Sequence, residues 1–360
     1  MSQNKLFKNL KKEMKYRGIE IPKELISLKK AYDSSEVKQL VSYNDLKKYM
    51  MNTILKDRKT EKRGHIIALN TLQLRSKRFT QYVDTESNKQ FMTLYRIDNT
   101  QLNAMLNHFI GSKHTEIIIT MIKYNEDDMK ILEYIKENFK FKNTEELKEF
   151  RNSKIASNTY FFCLREKKNP NILDFGVGNG KKIKSILSYL NSDYKYNLYG
   201  TDIESWGPYK KNRTFDFPVK FIQMKPYKIP YDDKMFDCIF VILTLHHSDN
   251  VMKVLKECHR ILKDDGIIVL VDHDVWLDET HMLVDLQHRI YSTIFKENTE
   301  GFKARYYNFY EWDMIFDKAG FKYIYGSNIQ EDVAYHLRYD MLHIIFYCKK
   351  DYKYSLYYNR

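Results

Sequence analysis

Cysteine is scarce in this 360-residue chain: Cys163, Cys238, Cys258 and Cys348 stand far apart, with no C-x-x-C pair. That excludes a disulfide framework or a cysteine-built zinc centre and leaves buried free thiols. No metal site is therefore expected. Long apolar runs are missing too, since none approaches the ~18 residues of a membrane span. The first residues, Met1-Ser-Gln-Asn-Lys-Leu-Phe-Lys8, lack the apolar centre of a signal peptide. The expectation is a cytoplasmic protein without a membrane span. Disorder is excluded in turn by an aromatic content of 15%.

Charge is abundant and uneven. The net charge is +13, and residues 1–100 hold 22 Lys and Arg against 11 Asp and Glu. The densest part contains Lys56, Arg58, Lys59, Lys62 and Arg63, followed by Arg75, Lys77 and Arg78 beside Phe79 and Tyr82. Basic groups interleaved with aromatic rings suit a phosphate backbone with stacked bases. A solvated basic face is the plainer alternative. Segregation of the charge favours nucleic acid, with RNA as the expected partner.

The N-terminal part reads as mostly helical. Leu6, Leu10 and Met14 recur at helical spacing, Leu102, Met105, Leu106 and Phe109 form a second stripe, and residues 129–139 make an amphipathic helix. Glu116-Ile-Ile-Ile-Thr-Met-Ile122 is β-branched and predicts a strand. No catalytic motif precedes residue 165. The expected organisation is a basic, mostly helical accessory domain over 1–165 and a second domain over 166–360.

From residue 170 the pattern becomes strand–helix alternation, which predicts an α/β domain with a largely parallel sheet covered on both faces. Asn171-Ile-Leu-Asp-Phe-Gly-Val-Gly-Asn-Gly180 is a strand running into a glycine turn, then a helix. Glycines at 176, 178 and 180 let backbone approach a nucleotide-like ligand. The spacing is GxGxG, with Lys181 where the dinucleotide fingerprint needs its last glycine. Further strands cover 197–203, 219–224, 236–243, 267–271, 321–325 and 343–348.

Five pieces in order carry a resemblance. They are Asp174-Phe-Gly-Val-Gly-Asn-Gly180, Gly200-Thr-Asp-Ile203, Ile229-Pro-Tyr-Asp-Asp-Lys-Met-Phe-Asp237, Leu245-His-His247 and Arg260-Ile-Leu-Lys-Asp-Asp-Gly-Ile-Ile-Val-Leu270. Residues ~170–348 resemble a class I S-adenosylmethionine-dependent methyltransferase of the UbiE-like branch, a Rossmann-like fold of seven strands. The resemblance implies that Asp202 binds the ribose of S-adenosylmethionine. Asp174 with Gly176, Gly178 and Gly180 would hold the amino-acid end, and Ile203, Met224 and Leu243 would line the adenine. The loop Pro230–Asp233 matches one near the adenine, with a plain Asx turn as the alternative for Asp232 and Asp233. In this branch an acid commonly follows the third strand; here Lys225 stands there and offers the adenine amine no acceptor.

His246 and the triplet Asp272-His273-Asp274 lie at strand ends on the expected catalytic edge and are the candidate catalytic residues. The plainer alternative makes His246 structural and Asp272 a helix cap. Trp276, Tyr291 and Arg305 are candidate substrate contacts, with Tyr306 and Tyr307 beside them. RNA (an mRNA cap or tRNA) is the favoured methyl acceptor. A small-molecule or lipid methyltransferase and a catalytically silent RNA-binding subunit within a larger modification complex are the alternatives.

Overall fold

The computed structural model describes residues 89–203, 215–275, 278–295, 304–330, 332–333 and 337–349. The helices expected before residue 60, the eight basic candidates from Lys56 to Arg78, and Trp276 lie outside the described residues. The described part falls, Asp278 aside, in one compact unit.

Seven strands form one sheet: β1 (Asn171–Phe175), β2 (Asn197–Ile203), β3 (Lys220–Met224), β4 (Phe236–Ile242), β5 (Leu262–His273), β6 (Phe321–Asn328) and β7 (Leu342–Lys349). Their order is β3-β2-β1-β4-β5-β7-β6. The first five run parallel, and β7 enters antiparallel between β5 and β6. Every residue of β4 is buried, as expected of a parallel strand covered on both faces, where apolar residues run on instead of alternating. The chain order reverses at β1, with β2 on one side and β4 on the other. That switch opens a crevice at the carboxyl ends of the strands.

Helices α1 (Gln90–Ile97), α2 (Asn99–Ile110), α3 (Ser112–Lys123), α4 (Asp128–Asn138) and α5 (Phe141–Thr159) precede the sheet. Helix α6 (Lys181–Leu187) follows β1, α7 (Val251–Ile261) follows β4, and α8 (Asp278–Phe295) and α9 (Phe309–Lys318) follow β5. Residues 116–122, expected as a strand, lie within α3. Thr115, Ile118 and Ile122 are its buried residues, so one face at helical spacing decides the outcome over the weak, context-dependent preference of isoleucine for strands. The strand expected over 267–271 is also longer than that, spanning Leu262–His273. Leu262 already pairs with Phe236 across a register shift, so β5 begins there.

Two cores result. One joins the sheet to α5 and α6 through residues such as Ile155, Ile183, Phe240 and Val269. The other gathers Leu102, Phe109, Ile118, Ile131 and Ile135 around Leu283, Val284, Leu286 and Ile290 of α8. Helices α1–α4 thus serve as the bed on which α8 lies. A polar knot fixes the register: Arg289 of α8 donates to Asp128 Oδ2 and Gln90 Oε1, both at 3.0 Å, and Gln90 N–H donates to Asp128 at 2.7 Å.

Asp128 and Arg289 are both buried, at 1% and 7% side-chain exposure. Removing one partner of such a pair strands the other charge. Asp128→Ala is expected to lower unfolding stability by about 3–5 kcal/mol in urea titration, whereas a double change of Asp128 and Arg289 to apolar residues recovers much of that loss.

Candidate active site

The carboxyl ends of β1 and β2 carry the two acids singled out by the sequence. Asp202 is 6% exposed. Its Oδ2 accepts from the Gly178 N–H at 2.9 Å and its Oδ1 from its own neighbour's N–H, that of Ile203, at 2.8 Å. The loop is drawn over β2 by two further bonds, from Gly176 and Val177 N–H to the Thr201 carbonyl. Gly178 has φ +52° and open space where a Cβ would stand, while at Gly180, φ +74°, a Cβ would lie 2.8 Å from the Phe217 ring. The loop therefore needs glycine at 180 for packing and leaves an open approach at 178.

Asp174 is 3% exposed. Burial pushes its carboxyl up to about 7, with Lys182 opposing and neighbouring Asp202 adding to the rise. A buried acid of this kind gains most from a cation brought beside it. Met224 is buried at the end of β3, and Ile203 and Leu243 are half-buried at the ends of β2 and β4. Leu243 adopts φ +53°, a conformation costing roughly 1–2 kcal/mol in a residue with a Cβ, and turns the chain sharply into Leu245–His247. Lys225 is exposed directly after β3.

The loop 229–233 is held from α7. Arg260 donates to the carbonyls of Ile229 and Tyr231 and to Asp233 Oδ1 at 2.9, 2.8 and 2.7 Å. Two of the sequence pieces thus meet each other: the arginine of one latches the loop of the other. Asp233 is spent on that latch.

A cluster of imidazoles lies on the other side of β4. His246, in the short turn Leu245–His247, is 1% exposed, and its Nδ1 is 2.7 Å from Asp272 Oδ1. A carboxylate accepts, so Nδ1 carries the proton and Nε2 the lone pair. The same Asp272 oxygen accepts from His273 N–H at 2.7 Å. Asp272 is therefore an orienting group for His246, neither a free base nor a helix cap. Asp274 turns away from the cluster: its Oδ1 accepts from Phe309 N–H at 2.9 Å at the start of α9, and its Oδ2 faces His343 at 3.3 Å. The expected acid–imidazole–acid triplet thus resolves into one acid on the cluster and one holding a helix.

His273 is 7% exposed. Its ring centre lies 5.0 Å from that of His246 and 4.9 Å from that of His288 of α8. Burial and the neighbouring imidazoles hold His273 well below the usual histidine range, and burial with His246 brings His288 to about 3. Both His273 and His288 are neutral near pH 7. His288 Nδ1 lies 2.8 Å from the Val284 carbonyl. Tyr306 sits over the group, its hydroxyl 3.0 Å from Asp285 Oδ1 and 3.2 Å from His288 Nδ1. Burial also raises Asp285 to about 7, against the Tyr306 hydroxyl. His246 Nε2, both ring nitrogens of His273 and Asp272 Oδ2 are buried without a hydrogen-bond partner.

Among the other candidates, Arg305 is half-buried and donates its N–H to the His246 carbonyl at 2.7 Å. Tyr291 packs away from the imidazoles against Phe109 and Phe139. His288, Asp285 and the clustering of Tyr306 with them were not legible in the sequence. Their only signal is the spacing Asp285-x-x-His288, which puts both on one face of a helix.

Asp272→Ala orphans two buried donors, His246 Nδ1–H and His273 N–H. It is expected to lower stability by about 2 kcal/mol or more by chemical denaturation, with Asp272→Asn, which keeps an acceptor, losing less.

Parts of the chain are similar to known proteins. Residues 173–270 match a family described as a methyltransferase domain. An uncharacterized methyltransferase of Bacillus subtilis, YcgJ, is 30% identical over 112 residues, which are 30% of this chain and 44% of that protein. The mitochondrial arginine-hydroxylase NDUFAF5 of Danio rerio is 25% identical over 123 residues, 34% of this chain and 36% of that one. The chain therefore spans less than half the length of these two relatives. The crystal structure of YcgJ aligns over 54% of this chain and 97% of its own, with 17% identity and a TM-score of 0.37. The seven-stranded order with its antiparallel β7, the acids at the ends of β1 and β2, and the matched family together identify a class I, UbiE-like methyltransferase domain of the S-adenosylmethionine-dependent type.

Proposed function

We propose that the chain transfers a methyl group from S-adenosylmethionine to RNA. The observation that carries the cofactor assignment is the pair Asp174 and Asp202, both buried, flanking a glycine loop open at Gly178. Asp202, which accepts from Gly178 and Ile203 N–H at the end of β2, would accept from the ribose hydroxyls. Asp174 would face the ammonium of the amino-acid end. Met224, Ile203 and Leu243 supply apolar contact for the adenine, and no acid stands where Lys225 does.

When bound, the cofactor's sulfonium supplies an electrophilic methyl group. The rest of the chemistry is in-line positioning, with a base if the acceptor needs one. His246, oriented by Asp272, and His273 bring imidazole nitrogens to the acceptor side, and Tyr306 closes over them. RNA as acceptor is supported by the charge of residues 1–100 and by the basic residues from Lys56 to Arg78. A protein partner in a modification complex fits the same reading. Lys225 favours a second one, a silent methyltransferase-like subunit that binds RNA without turnover.

Two experiments test the proposal. Asp174 at about 7, beside Asp202 and Lys182, falls when an ammonium binds, so a proton leaves on binding. Cofactor affinity should weaken as pH drops below ~7, by up to tenfold per pH unit, and level off above it. Calorimetry of Asp174→Asn should show weak binding without that slope. In the second, protein, radiolabelled cofactor and RNA pools are incubated together, with small-molecule extracts in parallel. Label in RNA, reduced at high salt and by changing Arg58, Lys59, Lys62 and Arg63 to Gln, is expected. Label only in small molecules supports the small-molecule alternative, and RNA binding without label supports the silent one.

A further inference from the structure

Three histidines converge that no sequence motif links. His246 comes from the turn after β4, His273 from the end of β5 and His288 from α8. Each offers one ring nitrogen, and these atoms lie within 4.8 Å of one another. In a tetrahedral site with metal–nitrogen bonds of ~2.0–2.1 Å, ligand nitrogens are ~3.4 Å apart, which small ring rotations reach from here.

The protonation pattern is set by what lies behind the rings. Asp272 accepts from His246 Nδ1, and the Val284 carbonyl, an acceptor only, takes the proton of His288 Nδ1. Both rings are thereby fixed with the lone pair on Nε2. A carboxylate or carbonyl behind a ligating imidazole is the usual way metal sites orient their histidines and raise their basicity. His273 has both ring nitrogens buried without a partner, as does His246 at Nε2. The partnerless nitrogens of His246 and His273 are buried, and one ring nitrogen of His288 lies within 4.8 Å of theirs.

We propose that His246, His273 and His288 form a three-imidazole site for a divalent transition-metal ion, zinc by ligand type, with one position left open toward the acceptor side. All-nitrogen ligation suits zinc, cobalt, nickel or copper and does not suit magnesium or calcium. An open position allows a bound water or acceptor hydroxyl to lose its proton near neutral pH. That use rests on the methyl-transfer reading; metal binding itself does not.

The test uses the full chain, stripped with a chelator and titrated with zinc chloride against a chromophoric competitor. One equivalent bound at sub-micromolar affinity is expected. His246→Gln and His288→Gln should weaken binding by at least ~100-fold and Asp272→Asn by ~10–100-fold. Since a histidine variant can misfold, X-ray absorption of the zinc-loaded wild-type protein is the second readout. It should show three imidazole nitrogens and one further oxygen ligand at ~2.0–2.1 Å. Weak zinc binding, an absorption spectrum with fewer than two imidazoles, or full affinity in folded His288→Gln overturns the site. Asp202→Ala should leave zinc affinity unchanged, so failure of the cofactor assignment and failure of the metal site are read separately.

Discussion

The bond from Gly178 N–H to Asp202 is the constraint on which the cleft depends. It crosses from the loop after β1 to the end of β2 and holds the glycine turn folded back over the sheet. The neighbouring strands fix where this happens: Asp174 pairs with Gly200 on one side and Phe240 on the other. Two carboxylates are thus held at one parallel edge in an apolar setting, and one of them reaches about 7. Burial of acids is unfavourable to the fold, and Lys182 offsets only part of the cost at Asp174. It is the arrangement expected of a site whose ligand brings its own positive charge.

The second half of the cleft is built from farther away. His288 is on α8, which lies on the core made by α1–α4 and is pinned through Arg289 to Asp128. Helices that carry no catalytic motif of their own therefore determine where an imidazole stands. Tyr306 and Arg305 complete this side from the segment before α9, the first through its hydroxyl and the second through its backbone.

What the sequence revealed follows from how local each feature is. The glycine turn, Asp174 and Asp202 are written in contiguous pieces, and the structure assembles them at the carboxyl edge; the 229–233 loop, latched by Arg260 just ahead of β4 and β5, lies at the amino ends of those strands. The seven strands were legible because apolar runs bounded by turns are local. Residues 116–122 were misread because three isoleucines look like a strand until their neighbours show that Thr115, Ile118 and Ile122 share one buried face. Asp274 stands next to His273 in sequence but lies past the end of β5, where its carboxylate accepts from Phe309 N–H and serves α9. The three imidazoles escaped notice because their positions, 246, 273 and 288, come together only in the tertiary fold.

The central claim is that Asp202, fixed by Gly178, is the anchor of a bound S-adenosyl nucleoside. The measurement that tests it most directly is calorimetric titration of the purified chain with S-adenosylhomocysteine at pH 8, wild type against Asp202→Ala. The account predicts micromolar one-to-one binding that is lost in the variant while its fold persists. A folded wild-type protein that binds nothing, or a variant that binds equally well, would contradict it.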